Sequence, residues 1–140
     1  MLKPDKEHYH QNDARLLELL NKHRDRRCFV VGNGPSLRMT DLDRLVDEIT
    51  FASNRIWLAF DQTPWRPTYY TMCDAVVARE NQEQTRSLEL TKIFGASLRD
   101  YFLDDPRVTF LNFPRREDEQ AAAVGADGVF RLPQDAPAPE

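Results

Sequence analysis

The sequence has few cysteines, few lysines and no long apolar run, and each shortage removes a class of protein. Cys28 and Cys73 are the two cysteines among 140 residues. They lie far apart, so neither a disulfide framework nor a thiolate metal cluster is expected. Each falls in a strand-like apolar run and reads as a buried thiol acting as a small hydrophobe. No lysine occurs between Lys22 and Lys92, which removes a P-loop, because that phosphate cradle requires Gly-Lys-Ser or Gly-Lys-Thr. There is no basic excess either. The formal net charge of -4 provides no field for a phosphate backbone, so no nucleic-acid partner is expected. Met1 to Asn12 mix Lys3, Asp5, Lys6, Glu7 and two histidines with almost no apolar residue. That stretch is neither a signal peptide nor a transmembrane segment, and the cytoplasm is the expected compartment.

What is present suits one modest globular domain. Hydrophobic residues make up 41% and charged residues 30%, and a chain of this length can bury one core. Leu16, Leu17, Leu19 and Leu20 form an apolar stripe within Asn12 to Arg27, which predicts an amphipathic first helix packed on a sheet. Cys28 to Val31 is an almost wholly apolar run ending at Gly32, as expected for a strand covered on both faces. Thr40 with Asp43 three residues later predicts a capped helix. Ile49 to Ser53 and Thr68 to Cys73 read as further strands, with Arg55 to Phe60 a short helical piece between them. Asp74 is placed to cap a helix running to about Leu90. Lys92 to Phe94 and Val108 to Phe113 read as strands around a short helix, Ser97 to Leu103.

Alternating strands and helices predict an α/β fold. The expected architecture is a three-layer, Rossmann-like domain over residues 28–113 with a mostly parallel, incomplete sheet. A helix within residues 1–27 precedes it. Residues 114–140, rich in charge and then in proline and alanine, read as a flexible tail or truncated linker.

The loop Gly32-Asn33-Gly34-Pro35-Ser36-Leu37 carries the chemical expectation. Two glycines leaving a buried strand let the backbone approach an anion, and a following helix would add N–H groups and a partial positive charge. Ligands of open α/β sheets sit outside the carboxyl ends of the strands, which is where this loop falls. A dinucleotide site is disfavoured, because Leu37 stands at the third glycine position and Ser53-Asn54-Arg55 stands where a ribose-binding acid is expected. Asn33, Asn54 and Asp74 each follow a strand and should converge if those strands are neighbours. Arg55, more than Arg66, is placed to neutralise phosphate. His8 and His10 lack a third ligand nearby and read as a surface pair.

Phe29 to Leu37, Phe51 to Ile56, and Arg66 to Tyr70 leading to Asp74 together resemble the 6-hydroxymethylpterin diphosphokinase MptE-like domain family. They also resemble the related motif of the bacterial lipooligosaccharide sialyltransferases. The resemblance runs from about Cys28 to Asp74 and thins towards Phe113. It implies a Rossmann-like fold and a donor site for a CMP-type sugar nucleotide, formed by Gly32, Asn33, Gly34, Pro35, Ser36 and Asn54 with Asp74 at the end of the third strand. The implied activity is glycosyl transfer in surface polysaccharide synthesis. The alternatives are a diphosphokinase that transfers pyrophosphate from ATP, with Asp74 holding Mg²⁺, and a non-catalytic binding module. The family's catalytic half, with its histidine base, is expected to be missing here, since His8, His10 and His23 all precede the first strand.

Overall fold

The computed structural model describes residues 4–112. Along the chain run α1 (Lys6–Leu19), β1 (Phe29–Val31), α2 (Met39–Asp43), β2 (Thr50–Ser53) and a 3-10 turn (Ile56–Ala59). There follow β3 (Tyr69–Met72), α3 (Ala75–Glu80), α4 (Gln82–Ser87), β4 (Lys92–Gly95), a 3-10 turn (Ala96–Leu98) leading into α5 (Arg99–Phe102), and β5 (Val108–Leu111). The strands form one sheet in the order β1-β2-β3-β4-β5, every neighbouring pair parallel. This is the α/β, Rossmann-like fold read from the alternation of elements. The expected tail, residues 114–140, lies outside the described residues.

Because each strand pairs with the next, right-handed crossovers carry the connecting helices to the same face of the sheet. The core sits there. Side chains of one parity, including Val31, Ala52, Tyr70, Met72, Phe94 and Phe110, meet Leu42, Ile56, Ala78, Leu98 and Phe102 from the connections. Trp65, on the loop before β3, is fully buried against them. The opposite parity tells another story. Val30 is 82% exposed, and Phe51, Ser53, Thr71, Ile93 and Leu111 are half-buried. The expected two-sided cover of β1 is therefore absent among the described residues.

Several boundaries shift for physical reasons. Thr40 does not cap α2. The helix begins at Met39 after Arg38, with no side-chain cap, while Asp43 accepts a 2.6 Å hydrogen bond from Thr63 Oγ1. The helix after Asp74 breaks at Asn81, whose side chain donates to the Val77 carbonyl at 2.9 Å, so α3 and α4 replace one long helix. Both cysteines are exposed rather than buried. Cys28 precedes the edge strand and Cys73 follows β3 at the carboxyl rim, so neither enters the core.

α1 lies against β5, but only half of its apolar stripe is covered: Leu16 and Leu19 are half-buried, while Leu17 and Leu20 are 69% and 67% exposed. The buried residue of α1 is Asn12. Asn12 Nδ2 donates to the Phe110 carbonyl at 3.1 Å and Asn12 Oδ1 accepts from the Phe110 N–H at 2.6 Å. A strand at a sheet edge presents unpaired backbone groups, and here a side-chain amide supplies the pairing that another strand would give to β5. Asp5 starts α1 by accepting from the His8 N–H at 3.0 Å. Asn12→Ala leaves both Phe110 groups without their partner and is expected to cost about 1–3 kcal/mol. Denaturant unfolding measures the loss, and faster amide hydrogen exchange at Phe110 locates it.

Candidate functional site

The carboxyl ends of β1, β2 and β3 lie side by side, so the residues that follow them gather at one rim, as the sequence implied. Asn33 ties the first two together, its Nδ2 donating to the Ser53 carbonyl at 2.8 Å. Asn54 follows β2 with φ 51°, in the left-handed region. Asn tolerates that region better than most residues because its short polar side chain bonds locally. The Asn54 carbonyl accepts a 2.7 Å hydrogen bond from Tyr70 Oη. Burial raises the Tyr70 hydroxyl well above the usual phenol range, so it remains protonated and available as a donor. Two contacts, one from β1's loop and one from within β3, thus fix the turn that carries Asn54.

Asn33, Gly34, Pro35, Asn54 and Arg55 border a crevice of about 570 Å³ whose other walls are Leu37, Met39, Ile56, Leu58, Ala59, Gln62 and Val77. The size and the mixture of apolar walls with a few polar groups are those of a small-molecule site. Arg55 is the one cation among these lining residues, and its guanidinium lies 3.5 Å from the Glu80 carboxylate, both side chains about half exposed. No carboxylate lines the crevice.

The loop itself differs from expectation in two ways. It does not run directly into a helix: Gly34 to Leu37 forms a tight turn, with the Leu37 N–H donating to the Gly34 carbonyl at 3.0 Å, and α2 begins beyond Arg38. A phosphate here would meet loop N–H groups more than a helix end. The glycines also do not serve the turn's geometry. Neither Gly32 nor Gly34 has a left-handed φ; a Cβ at Gly32 would meet nothing within 4 Å, and one at Gly34 only Ser36 Oγ at 3.9 Å.

Of the residues singled out from the sequence, Asn33, Gly34, Pro35 and Asn54 line the crevice, while Gly32 and Ser36 belong to the same exposed loop but do not line it. Asp74 does not line it. Its Oδ1 accepts from the Val76 and Val77 N–H groups at 2.8 and 3.1 Å, making it the N-cap of α3. Arg66 is occupied elsewhere, donating to the Thr63, Trp65 and Phe60 carbonyls. His8 bonds Asp5 and His23 bonds Tyr69 Oη at 2.7 Å, so both are held away from this rim. Among the described residues there is no group of three potential metal ligands.

Gln62, Leu58 and the supporting Tyr70 escaped the sequence reading. Only Tyr70 carried a signal, a phenol in a strand read as buried, whose hydroxyl must find a partner. Comparison with protein-family models, with curated proteins and with solved structures gives no match to this chain. No described helix is long and apolar enough to cross a membrane.

Proposed function

We propose that the crevice binds a sugar nucleotide through its nucleotide part, CMP-type in preference, and that the chain is a sialyltransferase-like glycosyltransferase module for surface polysaccharide synthesis. The observation that carries this reading is the loop's glycine content. Backbone geometry admits a side chain at Gly34, which borders the crevice, so what its bareness provides is room for a ligand against the main chain. Asn33 Oδ1 and the Asn54 side chain offer polar edges for ribose, base or phosphate, Arg55 offers one positive charge, and Ile56, Ala59 and Val77 offer an apolar wall for a ring.

Inverting transfer at an anomeric carbon needs a base for the acceptor hydroxyl and stabilisation of the departing phosphate. Arg55 and the loop N–H groups support the second. The lining contains no histidine or carboxylate for the first.

Calorimetric titration with CMP, CDP, UDP, GDP and ATP, with and without Mg²⁺, tests the reading. Metal-independent, saturable binding of CMP is expected. Gly34→Val is expected to occlude the site and weaken binding at least about tenfold, a loss of about 1.4 kcal/mol, while the thermal midpoint stays near that of the parent. Mg²⁺-dependent binding of ATP would instead carry the assignment to a diphosphokinase. No binding by any nucleotide would sink the donor-site reading.

A further inference from the structure

We propose that a groove on the open face of the sheet is the docking site for a later stretch of the same chain, Gly128–Pro133, with Phe130 and Leu132 as its anchors. A parallel sheet is normally apolar on both faces and covered on both. Here the connecting helices take one face. On the other, the amino half is covered by the beginning of the chain. α1 lies against β5, Thr109 is buried, and His23 bonds Tyr69 Oη at 2.7 Å. Tyr69 in turn packs on its neighbour Phe51, with ring centroids 5.0 Å apart. The carboxyl half has no such cover among the described residues. It forms a groove of about 450 Å³ bordered chiefly by Phe51, Thr71, Met72, Ile93 and Leu111. Phe51, Ile93 and Leu111 are only half-buried, so a partner placed there removes apolar surface from water.

Sequence and reach select the occupant. Leu111 is both a wall of the groove and the last residue of β5, so the chain leaves the sheet at the groove itself. Beyond Pro114 the large apolar side chains are Val124 and the cluster Val129, Phe130 and Leu132, which lies between Gly128 and Pro133. A short apolar run bounded by glycine and proline reads as a strand. Extended backbone sets Phe130 and Leu132 on one side and Arg131 on the other, which suits a segment with one face on the sheet and one in water. The composition of residues 115–140 cannot build a core of its own, but a single apolar cluster can complete an existing one.

The distances agree. The groove runs from β2 to β5, three interstrand spacings or about 14 Å. The 16 residues 113–128 span about 20 Å even as a flexible coil. A segment tethered at that length is present at millimolar effective concentration, an advantage that neither a second copy nor an unrelated partner has.

Thiol labelling of the full chain tests the docking. Thr71→Cys, in a Cys28→Ser and Cys73→Ser background, puts one reactive thiol in the groove. Its modification is expected to become at least about tenfold faster when Phe130→Asp and Leu132→Asp are added, because the cover then opens, while the circular dichroism stays unchanged. Arg131→Ala, on the outward side, is expected to leave the rate as it was. Equal rates with and without the two aspartates overturn the proposal. So does a rate that falls as protein concentration rises, which would put a second copy on the face. Hydrogen exchange of the unsubstituted chain gives an independent reading that no folding defect can disturb. Peptides covering Gly128–Pro133 are expected to exchange at least about tenfold more slowly than those covering residues 115–120, and unprotected exchange throughout residues 113–140 overturns the docking.

Discussion

Asp105→Ala is expected to destabilise the protein by about 3–5 kcal/mol, a large share of the roughly 5–15 kcal/mol that holds a domain folded. Lys92 opens β4 and Asp105 precedes β5, and their side chains are 0% and 2% exposed. Lys92 Nζ donates to Asp105 Oδ2 at 2.6 Å and to the Arg86 carbonyl at 3.3 Å. Asp105 Oδ1 accepts from the Arg107 N–H and from Arg107 Nε, both at 3.0 Å. Removing the carboxylate leaves a buried ammonium without its counter-charge. Replacing both partners by apolar residues of similar volume removes the desolvation penalty with the attraction, so Lys92→Met with Asp105→Leu is expected to cost less than Asp105→Ala, its remaining cost coming from the Arg107 N–H and Nε left without their acceptor. Urea unfolding of the two variants separates them. A double variant at least as destabilised as Asp105→Ala would contradict this account of the pair.

The same pair sets an acid limit. Burial pushes the Asp105 carboxyl up, but hydrogen bonds from Lys92 and from the Arg107 backbone and side chain outweigh it and hold the group below the usual carboxylate range. A carboxyl depressed in the folded state contributes stability that is present above its unfolded value, about 3.9, and that is lost as pH falls through the folded value. The parent should lose stability between about pH 4 and more acid conditions, and the double apolar variant should lose less over the same interval.

The strands were legible because a parallel sheet writes itself as short apolar runs ended by turn residues. Phe29–Val31, Thr50–Ser53 and Tyr69–Met72 fall inside the stretches read from pattern alone. The convergence of Asn33 and Asn54 followed from the same rule, since it needed only that neighbouring strands end at one rim. What was not legible depends on tertiary partners. The leucine stripe of α1 announced an amphipathic helix, but whether it meets a sheet face or a sheet edge depends on where β5 ends up, and Asn12 looks like any polar surface residue until Phe110 lies beside it. Cys28 and Cys73 stand at the ends of the apolar runs read as strands, yet a strand's ends emerge at the rim while its middle is buried. The Lys92 and Asp105 pair has no local signal, because the two residues are brought together by the crossover between β4 and β5.

Asn54 holds a left-handed backbone position and, on the proposed nucleotide reading, a recognition role as well, and Ala and Gly at this position are expected to separate the two. Its backbone sits at φ 51°, a region that costs a residue with a Cβ roughly 1–2 kcal/mol and glycine almost nothing. Its side chain borders the crevice. Asn54→Ala should therefore lower stability by about 1 kcal/mol and, if the crevice binds CMP as proposed, weaken that binding, whereas Asn54→Gly should leave the thermal midpoint close to the parent and weaken binding to the same degree. Tyr70→Phe provides the complement. It keeps the buried ring but removes the donor to the Asn54 carbonyl, so it should destabilise by about 1–3 kcal/mol and loosen the turn without touching the ligand. If binding in Asn54→Gly equals that of the parent, the side chain does not contact the nucleotide and the turn's conformation alone matters. If binding is lost in Asn54→Gly and only reduced in Tyr70→Phe, the Asn54 amide is the recognising group and Tyr70 positions it.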